Sequence, residues 1–370
     1  MEAKIDSLNL AYLRLKNAKG LGPRKAKLLI EHFGSAKQVL EADNIALAEV
    51  EGVGPSLIKA LNDAKASDWP QQELERVKNK GFELLNFEDN KYPLSLKAIF
   101  DPPMLLYVNG VLPMLETAPA KAIGIVGARD ASDYALSFSS QLAKNLAEAN
   151  IVIVSGLALG IDGSAHKGAM EASSGKTIAV LGSGLDNVYP STHKNMATKI
   201  AAKHGAVISE YPLGTRPNAN NFPGRNRIIN GLSAGVVVVE AAKKSGSLIT
   251  ADYAAEEGRT VFAVPGRVGD PRSQGTLSLL KQGAILIDSA EDIFNEFAWA
   301  AKPREIKALN LNENEEAVLE LIRSLGSPLL DNLSEGLNLP AASIMPILTM
   351  LELKGLIKAQ AGGRYIVLPS

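Results

Sequence analysis

From Ala122 onward the chain sets down seven short runs rich in valine and isoleucine: AIGIVG, IVIVSG, TIAVLG, AVISE, GVVVVE, TVFAVPG and AILI. Helix-like sequence separates each run from the next. Strands without polar alternation are buried on both faces, and helices between them cover those faces, so the pattern predicts an α/β fold with a doubly wound parallel sheet. Ligands of such sheets bind outside the carboxyl ends of the strands. The residues that follow each strand are therefore the candidates for function.

The flanks have a different character. Residues 1–66 read as short helices broken by glycine pairs, with AKGLGPRKAKLLIEHFGS and AEVEGVGPSLIKAL sharing one pattern of apolar, Gly, apolar, Gly, Pro and amphipathic helix. A turn at Gly20 and Gly22, or at Gly52 and Gly54, leaves free N–H groups at a helix N-terminus, which suits a phosphate. The doubled pattern resembles a tandem helix-hairpin-helix module. Arg24, Lys25 and Lys27 favour DNA contact in the first hairpin. The second offers only Lys59 beside Glu49 and Glu51, and a small helical bundle that does not touch DNA is the alternative. Residues 67–120 give a polar helix (about 68–80) and then proline-punctuated strands, expected as an edge extension of a central domain over 121–298; PMLETAPAK leads into that domain. A charged, proline-bearing linker (299–312) precedes residues 313–370, whose three helices and two-stranded wing suit a winged helix. In its third helix Met345, Ile347 and Met350 read as core. Acidic residues outnumber basic ones there, so partner docking or dimerisation competes with DNA reading.

Composition narrows the chemistry. The 370 residues carry a net charge of −1, so nucleic-acid binding needs a local basic patch. Cysteine is absent, which removes disulfides, thiolate catalysis and Cys-based zinc sites. The four histidines lack metal-ligand spacing. The N-terminal sequence has no basic leader, and no stretch approaches the ~18 apolar residues of a membrane span, so a cytoplasmic protein is expected. ASSGKTIAVLG is not a phosphate loop, because Met170 stands where a glycine is needed and Gly175-Lys176-Thr177 enters a strand. LGSGLDNVYP lacks a third glycine in register for a dinucleotide fingerprint. There is no GxSxG, and no histidine is obviously paired with a serine.

At the strand ends, Gly127, Arg129 and Ser132 combine a tight turn, a guanidinium fork and a helix cap, which favours phosphate. Ser155, Gly156 and Gly160 leave open backbone after the second strand, with Asp162 bracing the turn and His166 packed. Glu210 ends the fourth strand and releases a loop holding NNFPGRNRIING. Lys244, Ser245, Gly246 and Ser247 precede a helix in another anion-compatible arrangement. Phe222 could fill a core pocket while Arg225 and Arg227 make ion pairs, or ring and charges could hold a nucleic-acid strand. One rim carrying Arg129, residues 222–227 and 244–247, with no acid–base pair or metal cluster, reads as a binding groove. An aromatic there offers a stacking surface worth roughly 1–3 kcal/mol per base.

The ordered motifs GxRxxS (Gly127, Arg129, Ser132), SGxAxGID (Ser155 to Asp162), GSGLDxxYP (Gly182 to Pro190), FPxRNRII (Phe222 to Ile229), SGSLITA (Ser245 to Ala251) and VPG (Val264 to Gly266) resemble the DprA/Smf family of bacterial DNA-processing factors. The resemblance spans roughly 80–297, with family-like modules on both sides. It implies an extended Rossmann-like fold that dimerises through the central domain, binds single-stranded DNA without a cofactor, and loads the RecA recombinase during natural transformation. Carried over by motif, Arg129 holds phosphate, Phe222 contacts a base, and Arg225, Asn226, Arg227 and Lys244 line the strand path. Two departures are visible: Leu277 stands where the family usually has Asn or His, and no basic residue directly precedes Phe222. A Rossmann-like nucleotide or phosphoribosyl hydrolase is the competing class, but Glu256 and Glu257 lie too far along their helix to face the rim. A scaffold with a vestigial groove is a third reading, opposed by the presence of Arg129 and Phe222.

Overall fold

The computed structural model describes residues 2–113, 121–299, 311–354, 356–360 and 363–367. The expected linker falls almost wholly outside the described residues, as does most of PMLETAPAK. The chain forms two compact units, Met1–Ala300 and Ala301–Ser370.

In the first unit, helices α1 (Glu2–Asn17), α2 (Pro23–Phe33), α3 (Ala36–Glu41), α4 (Asn44–Ala48), α5 (Pro55–Ala66) and α6 (Trp69–Asn79) precede the sheet. Gly20 (φ 85°) and Gly52 (φ 78°) make left-handed turns just ahead of α2 and α5, a backbone glycine adopts without a Cβ penalty. Pro23 and Pro55 open those helices, where a missing N–H costs nothing.

Among the described residues nine strands form one sheet: β1 (Glu83–Asn86), β2 (Leu105–Gly110), β3 (Ala122–Val126), β4 (Val152–Ser155), β5 (Thr177–Leu181), β6 (Gly205–Ser209), β7 (Gly235–Val238), β8 (Thr260–Ala263) and β9 (Ile285–Leu286). Their order is β1-β2-β6-β5-β4-β3-β7-β8-β9. Strands β3 to β9 are the seven expected runs and are mutually parallel. The antiparallel β1–β2 pair extends the β6 edge. The chain winds outward from β3 through β4, β5 and β6, then returns to place β7 on the other side of β3. That reversal opens a crevice at the carboxyl ends of β3 and β7.

Between the strands lie α7 (Leu94–Lys97), α8 (Asp133–Glu148), α9 (Ile161–Glu171), α10 (Lys194–Lys199), α11 (Asn221–Leu232), α12 (Gly246–Glu256), α13 (Gln274–Lys281) and α14 (Ala290–Glu296). Successive strand residues serve opposite layers, as the two-residue period requires. Val154 and Val236 pack with Ile229 of α11 and Ala251 of α12, while Ile153 and Val237 pack with Leu142 of α8 and Ala165 of α9. A further cluster runs from Leu13, Leu29 and Leu61 of the N-terminal helices into Leu105, Tyr107 and Val207 of the sheet edge. The N-terminal helices thus share a core with the sheet.

The second unit holds α15 (Glu313–Leu325), α16 (Leu330–Leu337), α17 (Ala341–Leu353) and the antiparallel wing β10 (Ile357–Gln360) and β11 (Arg364–Val367). Here one expectation is corrected. Met345 and Met350 are 45% and 47% exposed, and Ile347 is half-buried, whereas Ile344, Leu348 and Leu351 form the core. The buried stripe follows i, i+4, i+7, but α17 is apolar on so many sides that the sequence hides its phase.

Candidate nucleic-acid interface

At the β3/β7 crevice lies a cavity of about 210 Å³. Its walls come from the ends of β3 (Gly127, Arg129), the β4–α9 turn (Ala158, Asp162), α11 (Phe222, Arg225, Asn226) and the start of α12 (Ser245, Gly246, Thr250). The FPGRNR segment, expected as a loop, is the first turns of α11. Proline is tolerated in a first helical turn, where its missing N–H would have no partner. The consequence is geometric. Phe222, Arg225, Asn226 and Ile229 stand at i, i+3, i+4 and i+7 on one face and all line the cavity.

Arg227 lies on another face of α11. Its side chain is 7% exposed, its Nε sits 3.0 Å from Asp101, and its Nη2 sits 2.6 Å from Glu210. The expected place of Arg227 on the strand path does not fit this position: the guanidinium is an internal anchor. Burial opposes its charge, but Glu210 and then Asp101 outweigh that and hold the Arg227 pKa above the usual arginine value.

Phe222 is half-buried, with the Arg129 guanidinium 5.2 Å from its ring centroid and that of Arg225 at 6.0 Å. The Tyr189 ring lies 6.1 Å away, inclined by 39°. Gly182 lets this ring approach, since a Cβ there would meet Phe222 Cδ1 at 3.0 Å. Arg129 is exposed, and among the described contacts the Phe222 ring is its partner.

Arg225 is buried, and its Nη1 donates to the carbonyls of Gly156 and Val180. Burial lowers its pKa, and Asp162 is the charge that pulls it back. Asp162 in turn accepts from the N–H groups of Gly156 (3.1 Å) and Ala158 (3.3 Å), as the bracing role requires. Burial pushes its carboxyl pKa up, opposed first by Arg225. Ser155 is fully buried and donates to the Ile125 carbonyl at 2.6 Å. Ser155 and Gly156 are therefore not open backbone; both groups of Gly156 are engaged, and they position Arg225 and Asp162.

Ser132 caps α8 by accepting from Ala135 N–H at 3.2 Å. Its own N–H and hydroxyl donate to the Glu240 carboxylate at 2.8 and 2.9 Å, so it belongs beside the first cavity. Ser245 caps α12, its oxygen 3.4 Å from Ser247 N and 2.7 Å from Ser247 Oγ. Lys244 is exposed one residue before that cap. His166 is packed as expected: fully buried, with Nδ1 2.7 Å from Thr177 Oγ1. Arg24, expected to favour DNA, stacks 4.5 Å over the Phe100 ring. Among the described residues no cluster of three or more His, Asp or Glu could hold a metal ion.

Sequence reasoning missed three members of the site. Tyr189 stood in GSGLDxxYP, a motif weighed as a dinucleotide fingerprint and counted toward the family resemblance, with no role given to its ring. Ile249 and Thr250 line the cavity from the second turn of α12, and Thr250 is fully buried with no hydrogen-bond partner for its hydroxyl. The helical period from Ser245 was the available signal.

The family model for DNA recombination-mediator protein A matches residues 83–298, and that for the DprA winged helix domain matches residues 302–363. Protein Smf of Escherichia coli is 40% identical over 288 residues, covering 76% of this chain and 76% of that protein. DNA processing protein DprA of Bacillus subtilis is 44% identical over 223 residues, 60% of this chain and 74% of the relative. Among solved structures, DprA of Streptococcus pneumoniae superposes with a TM-score of 0.68 at 36% identity, covering 77% of this chain and 97% of that one. DNA processing protein A of Helicobacter pylori, described for its single-stranded DNA binding mode, gives 0.52 at 32% identity over 59% and 95%. With matching domains in both units and fold and motifs in accord, the chain belongs to the DprA/Smf family of DNA-processing proteins.

Proposed function

We propose that the crevice between β3 and β7 binds single-stranded DNA, that the protein acts without catalysis, and that it delivers the strand to the RecA recombinase, as a cytoplasmic homodimer, during natural transformation. One observation carries the DNA reading: an aromatic ring and an exposed guanidinium, with no ion pair or hydrogen bond among the described residues, stand together over a cavity whose opposite wall is a helix N-terminus. A base that stacks on Phe222 displaces Arg129 from above the ring. The exposed cation–π contact is worth about 0.5–1 kcal/mol, less than the roughly 1–3 kcal/mol of base stacking. The exchange is downhill, and it frees the guanidinium for phosphate.

A nucleotide hydrolase needs a carboxylate poised over a ribose. The carboxylate that lines this cavity, Asp162, is held by two backbone N–H groups and Arg225, and Glu257 accepts from Phe100 N–H far along α12. Nothing favours that second reading.

The test is fluorescence anisotropy with oligo-dT and with duplex across a salt series. Wild type prefers the single strand. Arg129→Ala reduces the slope of log K against log salt by about 0.7, the value for one phosphate on a single strand. Phe222→Ala weakens binding with the slope intact. If all three proteins bind alike, the crevice is not the DNA site.

A further inference from the structure

A second cavity, of about 390 Å³, opens on the same rim, lined by Ser132 and Tyr134 at the start of α8, Glu240 at the end of β7, and Arg267 and Asp270 after β8. Only a ridge parts it from the crevice. Ala128 N–H donates to the Glu240 carbonyl at 2.7 Å, and Ser132 binds the Glu240 carboxylate, so the segments after β3 and β7 are laced together. Arg129 lines one cavity and Ser132 the other, three residues apart and so within about 11 Å at full extension. Arg129, Lys243 and Lys244 are all exposed in the segments that form the ridge, with Asp130 exposed beside Arg129.

The second cavity itself is not built for phosphate. Glu240 is 8% exposed with each oxygen already accepting from Ser132, and Asp270 pairs with Arg272, so the lining holds two engaged carboxylates whose remaining lone pairs can still accept. Carboxylates repel a phosphate but accept from the amino groups of bases. Beside them Tyr134 is 66% exposed, its ring stacked on Phe138 with centroids 6.3 Å apart and planes 29° apart. A ring held by a neighbour while its other side meets water loses little entropy when a base stacks on it. Arg267 is exposed at the far lip; its carbonyl accepts from Asp270 N–H at 3.2 Å, and among the described residues its guanidinium makes no hydrogen bond or ion pair.

Resting on the single-strand reading of the crevice, we propose that this cavity is a second nucleotide subsite. The strand crosses the ridge with a phosphate on Arg129, Lys243 and Lys244. One base stands on Phe222 in the crevice, and a base further along enters the second cavity and stacks on Tyr134. Arg267 meets the phosphate that leaves it. One rim thus grips both sides of a phosphodiester, which fixes the direction of the path across the sheet from the α11/α12 layer to the α8 layer.

The experiment is anisotropy of the full chain with labelled dC probes of one and about 12 nucleotides, the first too short to cross the ridge and the second within the range of single-strand sites, for wild type, Phe222→Ala, Tyr134→Ala and Tyr134→Phe; cytosine carries the amino group that the carboxylates would accept from. Thermal unfolding of each variant shows that it is folded. Tyr134→Ala weakens the long oligonucleotide about tenfold or more, leaves the short one unchanged and keeps the salt slope; Tyr134→Phe binds like wild type. If Tyr134→Ala matches wild type on the long strand, or weakens both lengths equally, the second subsite is overturned. If Phe222→Ala is also silent, the crevice reading falls with it. An effect of Phe222→Ala beside a silent Tyr134→Ala removes the subsite alone.

Discussion

Consider Glu210→Ala. The Arg227 guanidinium touches Glu210 in a buried pair and Asp101 in a half-exposed one, and its Nη1 already has no acceptor. Lys16 of α1 is half-buried close by; desolvation lowers its pKa, and Glu210 is the charge that opposes this. Removing Glu210 therefore leaves Arg227 with Asp101 alone and deprives Lys16 of the charge that opposes its desolvation. Breaking a buried pair from one side costs about 3–5 kcal/mol, about a fifth or more of the roughly 5–15 kcal/mol that holds a domain folded. At about 2–4 °C per kcal/mol for a large domain, the melting temperature falls by roughly 6–20 °C. Glu210→Leu combined with Arg227→Met removes both charges while keeping volume, and recovers most of the loss in urea and thermal unfolding. The same double variant separates anchor from ligand. If Arg227 is internal, its salt slope for single-stranded DNA equals wild type; a phosphate ligand would take about 0.7 from the slope. A Glu210→Ala protein within about 1 kcal/mol of wild type by urea unfolding, or a double variant with the reduced slope, refutes this reasoning.

Three more outcomes follow from the same region. Gly160 has φ 75°, and a Cβ there would sit 2.2 Å from the Ala128 carbonyl oxygen, so Gly160→Ala loses at least about 2 kcal/mol and, by shifting the Arg129 loop, weakens DNA binding; urea unfolding and anisotropy read the two effects. Thr250→Val removes a buried hydroxyl that has no partner and is neutral or stabilising by about 1 kcal/mol; a clear loss in the melting temperature would show that the hydroxyl is satisfied. His166 gives a pH signature. Thr177 Oγ1 donates to Ile153 O, so it accepts from His166 Nδ1, leaving buried Nε2 bare. Burial, then the His193 and Arg225 charges, lower its pKa from 6.5 to about 3. The unfolded chain takes up this proton first, so stability is full above about 6.5 and declines by up to about 1.4 kcal/mol per unit as pH falls toward 3. His166→Phe flattens that dependence in urea titrations.

The sheet was legible because its strands are continuous runs of valine and isoleucine, a composition that few other environments tolerate. The rim was legible by the same route, since strand ends are where the apolar runs stop. What stayed hidden was direction. Arg225, Asn226 and Arg227 read as one block, yet consecutive helical residues point about 100° apart, so a contiguous motif is split between cavity and interior. Likewise Ser155 and Gly156 read as open because they are small. Their smallness admits Arg225, whose Nη1 would lie 2.0 Å from a Cβ at Gly156. In α17 the trouble was the reverse: too many apolar residues and no phase.

The crevice exists only where β7 is laid against β3. Ile123 pairs with Gly235, so that contact closes a loop containing three other strands and most of the site's walls. Closing so long a loop is entropically slow, and contacts of this span set the folding rate of a chain. The α12 wall of the site, with Ser245, Gly246 and Thr250, follows β7 in the chain and joins the other walls only through that closure. On the proposed function, a strand of nucleic acid in it would act as a staple across this long-range contact, each tenfold excess over its dissociation constant adding about 1.4 kcal/mol to the folded state.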